Sequence, residues 1–503
     1  MQATARPTGQ STALGSVLVL LCVAQFMVLL DASIVNVALP SIRADLGFSE
    51  SGLQWVINAY TLPYAGFLLL GGRVADFFGV KRLFQVGIAL FAAASLLGGL
   101  APDEATLLVA RAFQGFGGAL LSPAILTLLT TTFADPQARA RAMGAWSAAA
   151  GAGFASGALI GGVLTEYANW RWTLIINVPI GVAGMLAARR ILPEVIQPKR
   201  PRLDVLGALL ATAGLLSIVY GTVNSGPDGW SAAATWGPIA AGAVLICWFI
   251  VHEAVVDQPL MPMSLLRSRP IATANATMFL LSAAVYPSMF ILSVYAQNVL
   301  HYSPFKTGLV FLAPTIVMAI ASKYAATVMR RTGSRPLLII AAPVSAAGLA
   351  WLSRAGVDSS LVGSVLAPAT VTFLGLGLAN PPLAMAATAG APPGQAGLAS
   401  GIVNTTRQLG ITIGLAIVVT VAVDQTRSSA AVGPLRSLAN GYDAALVVAA
   451  VFAFVALATA LAFPRAARPA LVQKKVLSRP STESDRYSGA ASRGEESEFS
   501  DDR

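Results

Sequence analysis

Asp31 is the residue in this sequence best placed for reversible chemistry. It lies in an apolar stretch near 14–38 that carries no other charged residue. A carboxyl group in such a setting can exchange a proton, because burial penalises its charged form while a nearby cation favours it. Arg111, in the stretch near 105–126, is the matching cation. At a rise of about 1.5 Å per helical residue, Asp31 sits roughly 12 Å and Arg111 roughly 9 Å below the same surface. The two are expected to communicate directly, through Gln114 or through water. Two readings follow: a switch, paired and ionised in one conformation and separated and protonated in another, or a fixed ion pair that orders two helices.

Other chemistries find little to work with. His252 and His301 are the only histidines and Cys22 and Cys247 the only cysteines, which argues against a metal site, a disulfide framework or a Ser/His hydrolase. No Gly-x4-Gly-Lys-Ser/Thr loop is present to hold nucleotide phosphates, and no soluble segment is long enough to carry such a site. The expectation is therefore a protein that is not an enzyme and uses no cofactor or metal.

The elements that must position Asp31 are membrane helices. Hydrophobic residues make up 55% of the 503 and charged residues only 11%, against about 25% charged in soluble domains. At roughly 20 apolar residues per crossing, fourteen spans are expected, near 14–38, 51–71, 82–101, 105–126, 141–165, 171–190, 204–223, 234–252, 271–298, 306–328, 335–353, 360–380, 396–423 and 441–463. The first is too long for a signal-peptide core and is expected to be retained. With the N-terminus inside, most Lys and Arg fall in inward loops, among them Arg73, Lys81, Arg82, Arg139, Arg141, Arg189 and Arg190. This places both termini in the cytoplasm and accounts for the net charge of +10 through anionic lipid, without nucleic acid.

Two blocks of six spans repeat at a nearly constant offset. Gly117, Ser122 and Pro123 align with Gly375, Asn380 and Pro381, and Gly144, Gly153 and Gly157 with Gly401, Gly410 and Gly414. Parallel repeats with a site at their interface are a transporter architecture. The expected organisation is a cytoplasmic segment 1–13, a six-helix bundle 14–190, a linker 191–203, an inserted helix pair 204–252, a linker 253–270, a second bundle 271–463 and a disordered cytoplasmic tail 464–503.

Several stretches resemble one family. Leu30-Asp-Ala-Ser-Ile-Val-Asn-Val-Ala-Leu-Pro40, Gln54-Trp55 with Ala59-Tyr60, Gly71-Gly-Arg-Val-Ala-Asp-Phe-Phe-Gly-Val-Lys-Arg82, Arg111-Ala-Phe-Gln-Gly-Phe-Gly-Gly118, Trp170-Arg-Trp172 with Asn177-Val-Pro-Ile-Gly181, and Asn404-Thr-Thr-Arg-Gln-Leu-Gly410 are similar to motifs of the 14-helix drug/proton antiporters of the major facilitator superfamily. One position departs: Gly157 is followed by Ala158 where that pattern has Pro, which leaves the fifth helix without a proline kink. The resemblance implies an all-α fold and an exporter of amphiphilic antibiotics or drugs driven by protons. An importer or facilitator of a small metabolite on the same scaffold is the alternative. The resemblance also implies that Gly72, Asp76, Gly79, Lys81 and Arg82 latch the two halves; a generic turn with inward positive charge is the other reading of that loop.

Gln25, Asn58, Tyr60, Gln114, Asn404, Arg407 and Gln408 are the candidates for a substrate cavity. Arg407 lies near mid-membrane, and it either meets the cavity and an anionic or carbonyl group of the substrate, or donates to carbonyls across helices. The partners expected are a small amphiphilic drug, protons and lipid. The protein is expected to act as a monomer in a bacterial plasma membrane; 27 Arg against 6 Lys hints at a GC-rich genome.

Overall fold

The computed structural model describes residues 8–49, 51–133, 135–192, 204–228, 232–257, 259, 267–357, 360–389 and 396–464. At 8–13, 69, 72–73, 75–77, 136, 140, 223–228, 330, 387–389 and 396–400 the description is of backbone only. The linker 193–203 and the tail from 465 onward lie outside the described residues.

Helices account for nearly everything described. Among the described residues they are α1 (Thr8–Leu46), α2 (Trp55–Phe78), α3 (Val80–Gly99), α4 (Glu104–Thr132) and α5 (Pro136–Tyr167), then α6 (Trp172–Ile191). Next come α7 (Val205–Asp228) and α8 (Ala233–Val255). The remaining six are α9 (Arg269–Asn298), α10 (Pro304–Thr332), α11 (Ser334–Leu352), α12 (Ala367–Ala389), α13 (Ala396–Ser428) and α14 (Pro434–Leu461). Each expected span falls on one of them, and no strand occurs among the described residues. Thirteen helices are long and apolar enough to cross a membrane among the described residues. A bilayer core admits only backbone that satisfies its own hydrogen bonds, so helices are the available solution.

The boundaries follow local chemistry. Asp103 caps α4 by accepting from the Thr106 amide, and Asp135 caps α5 by accepting from the Ala138 amide, with Pro136 opening that helix. Gly79 takes φ 90° at the α2–α3 turn and Gly433 takes φ 97° before Pro434, a region that glycine enters without penalty.

Two of the repeated glycine pairs, Gly153 with Gly410 and Gly157 with Gly414, occupy equivalent places. A Cβ at Gly153 would lie 2.5 Å from the Phe26 carbonyl oxygen, one at Gly157 2.8 Å from that of Leu30, and one at Gly161 2.5 Å from that of Ile34. Thus α5 lies against α1 along the turns that carry Asp31. In the second block Gly410 and Gly414 press α13 on the carbonyls of Phe279 and Ala283 of α9 in the same manner. Without hydrophobic drive between helices in lipid, such small-residue faces supply the close packing. Lacking a proline at Ala158, α5 runs unbroken from Pro136 to Tyr167. Gly157→Val is expected to destabilise the protein by about 1–3 kcal/mol through overpacking. Gly151→Val, where a Cβ meets nothing within 4 Å, is the control; melting of the two purified variants checks the difference.

The blocks meet along two main seams, α5 with α10 and α2 with α13, and α1 also meets α9. Ser293 donates to the Asn36 carbonyl at 2.7 Å, Gln297 to the Val37 carbonyl at 2.9 Å, and the Phe305 amide to Glu166 at 2.8 Å. These three bonds lie toward the end opposite the N-terminus. Deeper, Thr61 and Thr412 share a hydrogen bond of 2.9 Å. The inserted α7 packs on α8 and covers the α2/α13 seam: Leu62 of α2, Leu215 and Val219 of α7 and Ala416 of α13 share one apolar cluster.

Candidate functional site

Five helices of the first block converge on Asp31. Arg111 Nη1 donates to Asp31 Oδ2 at 2.7 Å, and Gln114 Nε2 and Asn177 Nδ2 donate to Oδ1 at 2.6 and 2.9 Å. Arg111 is satisfied elsewhere too: Nε donates to the Val56 carbonyl at 3.0 Å, Nη1 also reaches Gln114 Oε1 at 2.6 Å, and the guanidinium lies 4.5 Å from the centre of the Tyr60 ring. Gln114 Nε2 also donates to Ser95 Oγ at 2.8 Å, and Ser95 passes its own hydrogen to the Phe91 carbonyl. Asp31 is 0% and Arg111 2% exposed.

The local sequence explains the convergence. Arg111 and Gln114 stand three apart on α4 and so share a face. Gly115 lets α2 approach that face, since a Cβ there would collide with the Tyr60 backbone. A charge in this environment must be paired and hydrogen-bonded, because the apolar interior returns none of its hydration energy. Here both charges are.

Of the expected site residues, the structure therefore joins Asp31, Arg111, Gln114 and Tyr60, with Gln114 reinforcing a direct ion pair. Gln25 lies elsewhere, accepting from the Trp146 indole at 3.2 Å. Asn58 is fully buried, and neither polar atom of its amide has a hydrogen-bond partner among the described residues. Arg407 is half-buried on α13 and acts electrostatically on the Tyr64 hydroxyl of α2, across the seam. Asn404 is half-buried and Gln408 buried on the same helix. In the α2–α3 turn, Gly79, Lys81 and Arg82 are described, whereas the side-chain positions at Gly72 and Asp76 lie outside the described residues.

Sequence reasoning missed Asn177, Ser95 and the Val56 carbonyl. Asn177 carried a signal, being an amide in the apolar run that opens α6; Ser95 carried none. The last helix starts at Pro434 rather than near 441, which puts Asp443 in its third turn, with Oδ1 buried and without a partner among the described residues.

Comparison with known proteins gives the family. The family model described as Major Facilitator Superfamily matches residues 21–415. The chain belongs to the major facilitator superfamily. It is a multi-pass membrane transporter, not an enzyme. It is 43% identical over 453 residues to the cephamycin export protein of Amycolatopsis lactamdurans, covering 89% of this chain and 92% of the relative. It is 40% identical to the puromycin resistance protein of Streptomyces alboniger, over 81% of this chain and 82% of that one. Identity to the tetracenomycin C resistance and export protein of Streptomyces glaucescens is 33%, over 80% and 74%. Among solved structures, a bacterial homologue of the human lysosomal transporter Spinster, inward-facing and unoccupied, superposes with a TM-score of 0.62 at 15% identity, over 90% of this chain and 97% of that one. That likeness speaks for the fold alone.

Proposed function

We propose that this transporter exports an amphiphilic antibiotic or drug across a bacterial plasma membrane in exchange for protons, with Asp31 as the proton carrier and Arg111 as its counter-ion. The observation that carries the reading is the fully sealed Asp31–Arg111 pair. Intramembrane ionisable groups are expensive and are kept where ions or substrates pass. With both termini cytoplasmic, the end closed by Ser293, Gln297 and Glu166 is the outer one, and the paired arrangement is assigned to the ionised, inward-facing member of the cycle. Proton uptake from outside neutralises Asp31 and separates it from Arg111; return to the inward state releases the proton and restores the pair. The two six-helix blocks rock about the α5/α10 and α2/α13 seams, and Gly72, Asp76, Gly79, Lys81 and Arg82 latch them when the molecule faces outward.

Gln25, Asn58, Asn404, Arg407 and Gln408 are assigned to the substrate cavity. Asn58 supports this best, since its amide has both a donor and an acceptor to offer. The export direction and drug class are supported by the relatives named for cephamycin, puromycin and tetracenomycin C. Susceptibility of a sensitive host to these three compounds, with and without the gene, tests the class. Everted vesicles then test the direction: an acid interior is expected to drive uptake of the protected compound, and a collapsed pH gradient to abolish it. Uptake driven by an acid exterior instead would favour the importer.

A further inference from the structure

Asp31 is sealed from solvent in this conformation, so a proton leaving it needs a route to the N-terminal side. Tyr60 and Tyr64 stand four apart on α2, and Arg111, Gln114, Gly118 and Ser122 at steps of three and four on α4, so the two rows face each other. The Tyr60 and Tyr64 rings stack, with centres 5.8 Å apart and planes at 27°. The Tyr64 hydroxyl and Ser122 Oγ share a hydrogen bond of 2.8 Å. Gly118 keeps the space between the rows open: a Cβ there would lie 2.9 Å from the Tyr64 ring and 3.5 Å from the Tyr60 hydroxyl. Exposure rises along the row, from 0% at Asp31 to 2% at Tyr60, 7% at Tyr64 and an intermediate value at Ser122.

We propose that Tyr60, Tyr64 and Ser122 form the inner proton route of Asp31, with Tyr64 as its decisive hydroxyl. The inference rests on the proton-carrier reading of Asp31. Tyr64 and Ser122 relay along the hydrogen bond they share, each taking a proton on its oxygen and giving up its own hydrogen, so neither is left charged, and the Tyr60 hydroxyl is the step between this bond and Asp31. The charged groups acting on the row are Asp31 and Arg111 at its buried end and Arg407 of α13.

The test needs no drug. The outer end is held shut by a short thiol cross-linker between Tyr167→Cys and Phe305→Cys, whose native rings pack edge to face at 6.1 Å. Purified protein is then stepped from alkaline to acid pH, and growth of the carboxylic acid infrared band is followed, with the Asp31→Asn protein subtracted. Tyr64→Phe, which keeps the ring, is expected to slow the Asp31 signal by about a hundredfold or more, in the range of losses for a positioned proton-transfer group. Ser122→Ala provides a second variant should Tyr64→Phe fold poorly, and is expected to slow it in the same sense. Unchanged rates in folded Tyr64→Phe or Ser122→Ala overturn the route. Absence of any Asp31-dependent band in the unmodified background would instead remove the proton-carrier reading itself.

Discussion

Asp31→Asn is expected to abolish gradient-driven export while leaving exchange of drug for drug across the membrane. Asparagine keeps the size of the carboxyl group and can still accept from Arg111, but it cannot carry a proton. One elementary charge moving through 100 mV supplies about 2.3 kcal/mol, which corresponds to roughly a fifty-fold concentration ratio at about 1.4 kcal/mol per factor of ten. Proteoliposomes containing the variant should lose that ratio and equilibrate the drug to equal concentrations. Counterflow, in which unlabelled drug on one side draws labelled drug from the other, should persist. Loss of both activities would mean that Asp31 serves packing or substrate binding.

The second large effect concerns stability and depends on which charge is left behind. Asp31→Asn strands a guanidinium that cannot shed its proton in a protein, and breaking one side of a buried pair costs about 3–5 kcal/mol. Arg111→Gln strands a carboxyl, which can neutralise itself by keeping a proton. The Asp31→Asn protein is therefore expected to melt lower than Arg111→Gln. The double variant Asp31→Asn/Arg111→Gln should recover most of the loss while transporting no better than either single one. Three equal melting temperatures would show that the pair contributes little beyond its neighbours.

The sequence made the centre of the site legible because lipid is an unforgiving solvent. A lone Asp and a lone Arg at one depth, in stretches without other charge, have few partners available, and Gln114 follows from its place three residues beyond Arg111. Tyr60 was legible only as a cavity candidate, and its place over the guanidinium depends on how closely Gly115 lets α2 approach. Short polar side chains were not legible. Many of them return a hydrogen bond to their own helix, as Thr315 does to Phe311, and nothing local distinguishes these from Ser95, which also reaches Gln114. The polar first turns of α14 hid the true start of that helix because periodic hydrophobicity begins only after Asp443. The better signal was Gly433-Pro434, a glycine at positive φ followed by proline at the first helical position.

The most direct test is to count protons when drug binds. Purified transporter in lightly buffered solution, mixed with a saturating drug from the susceptibility panel, should release protons in an amount that rises toward one per molecule as the starting pH is lowered, and the Asp31→Asn protein should release none. Equal release from both proteins would contradict the assignment of Asp31 as the coupling acid.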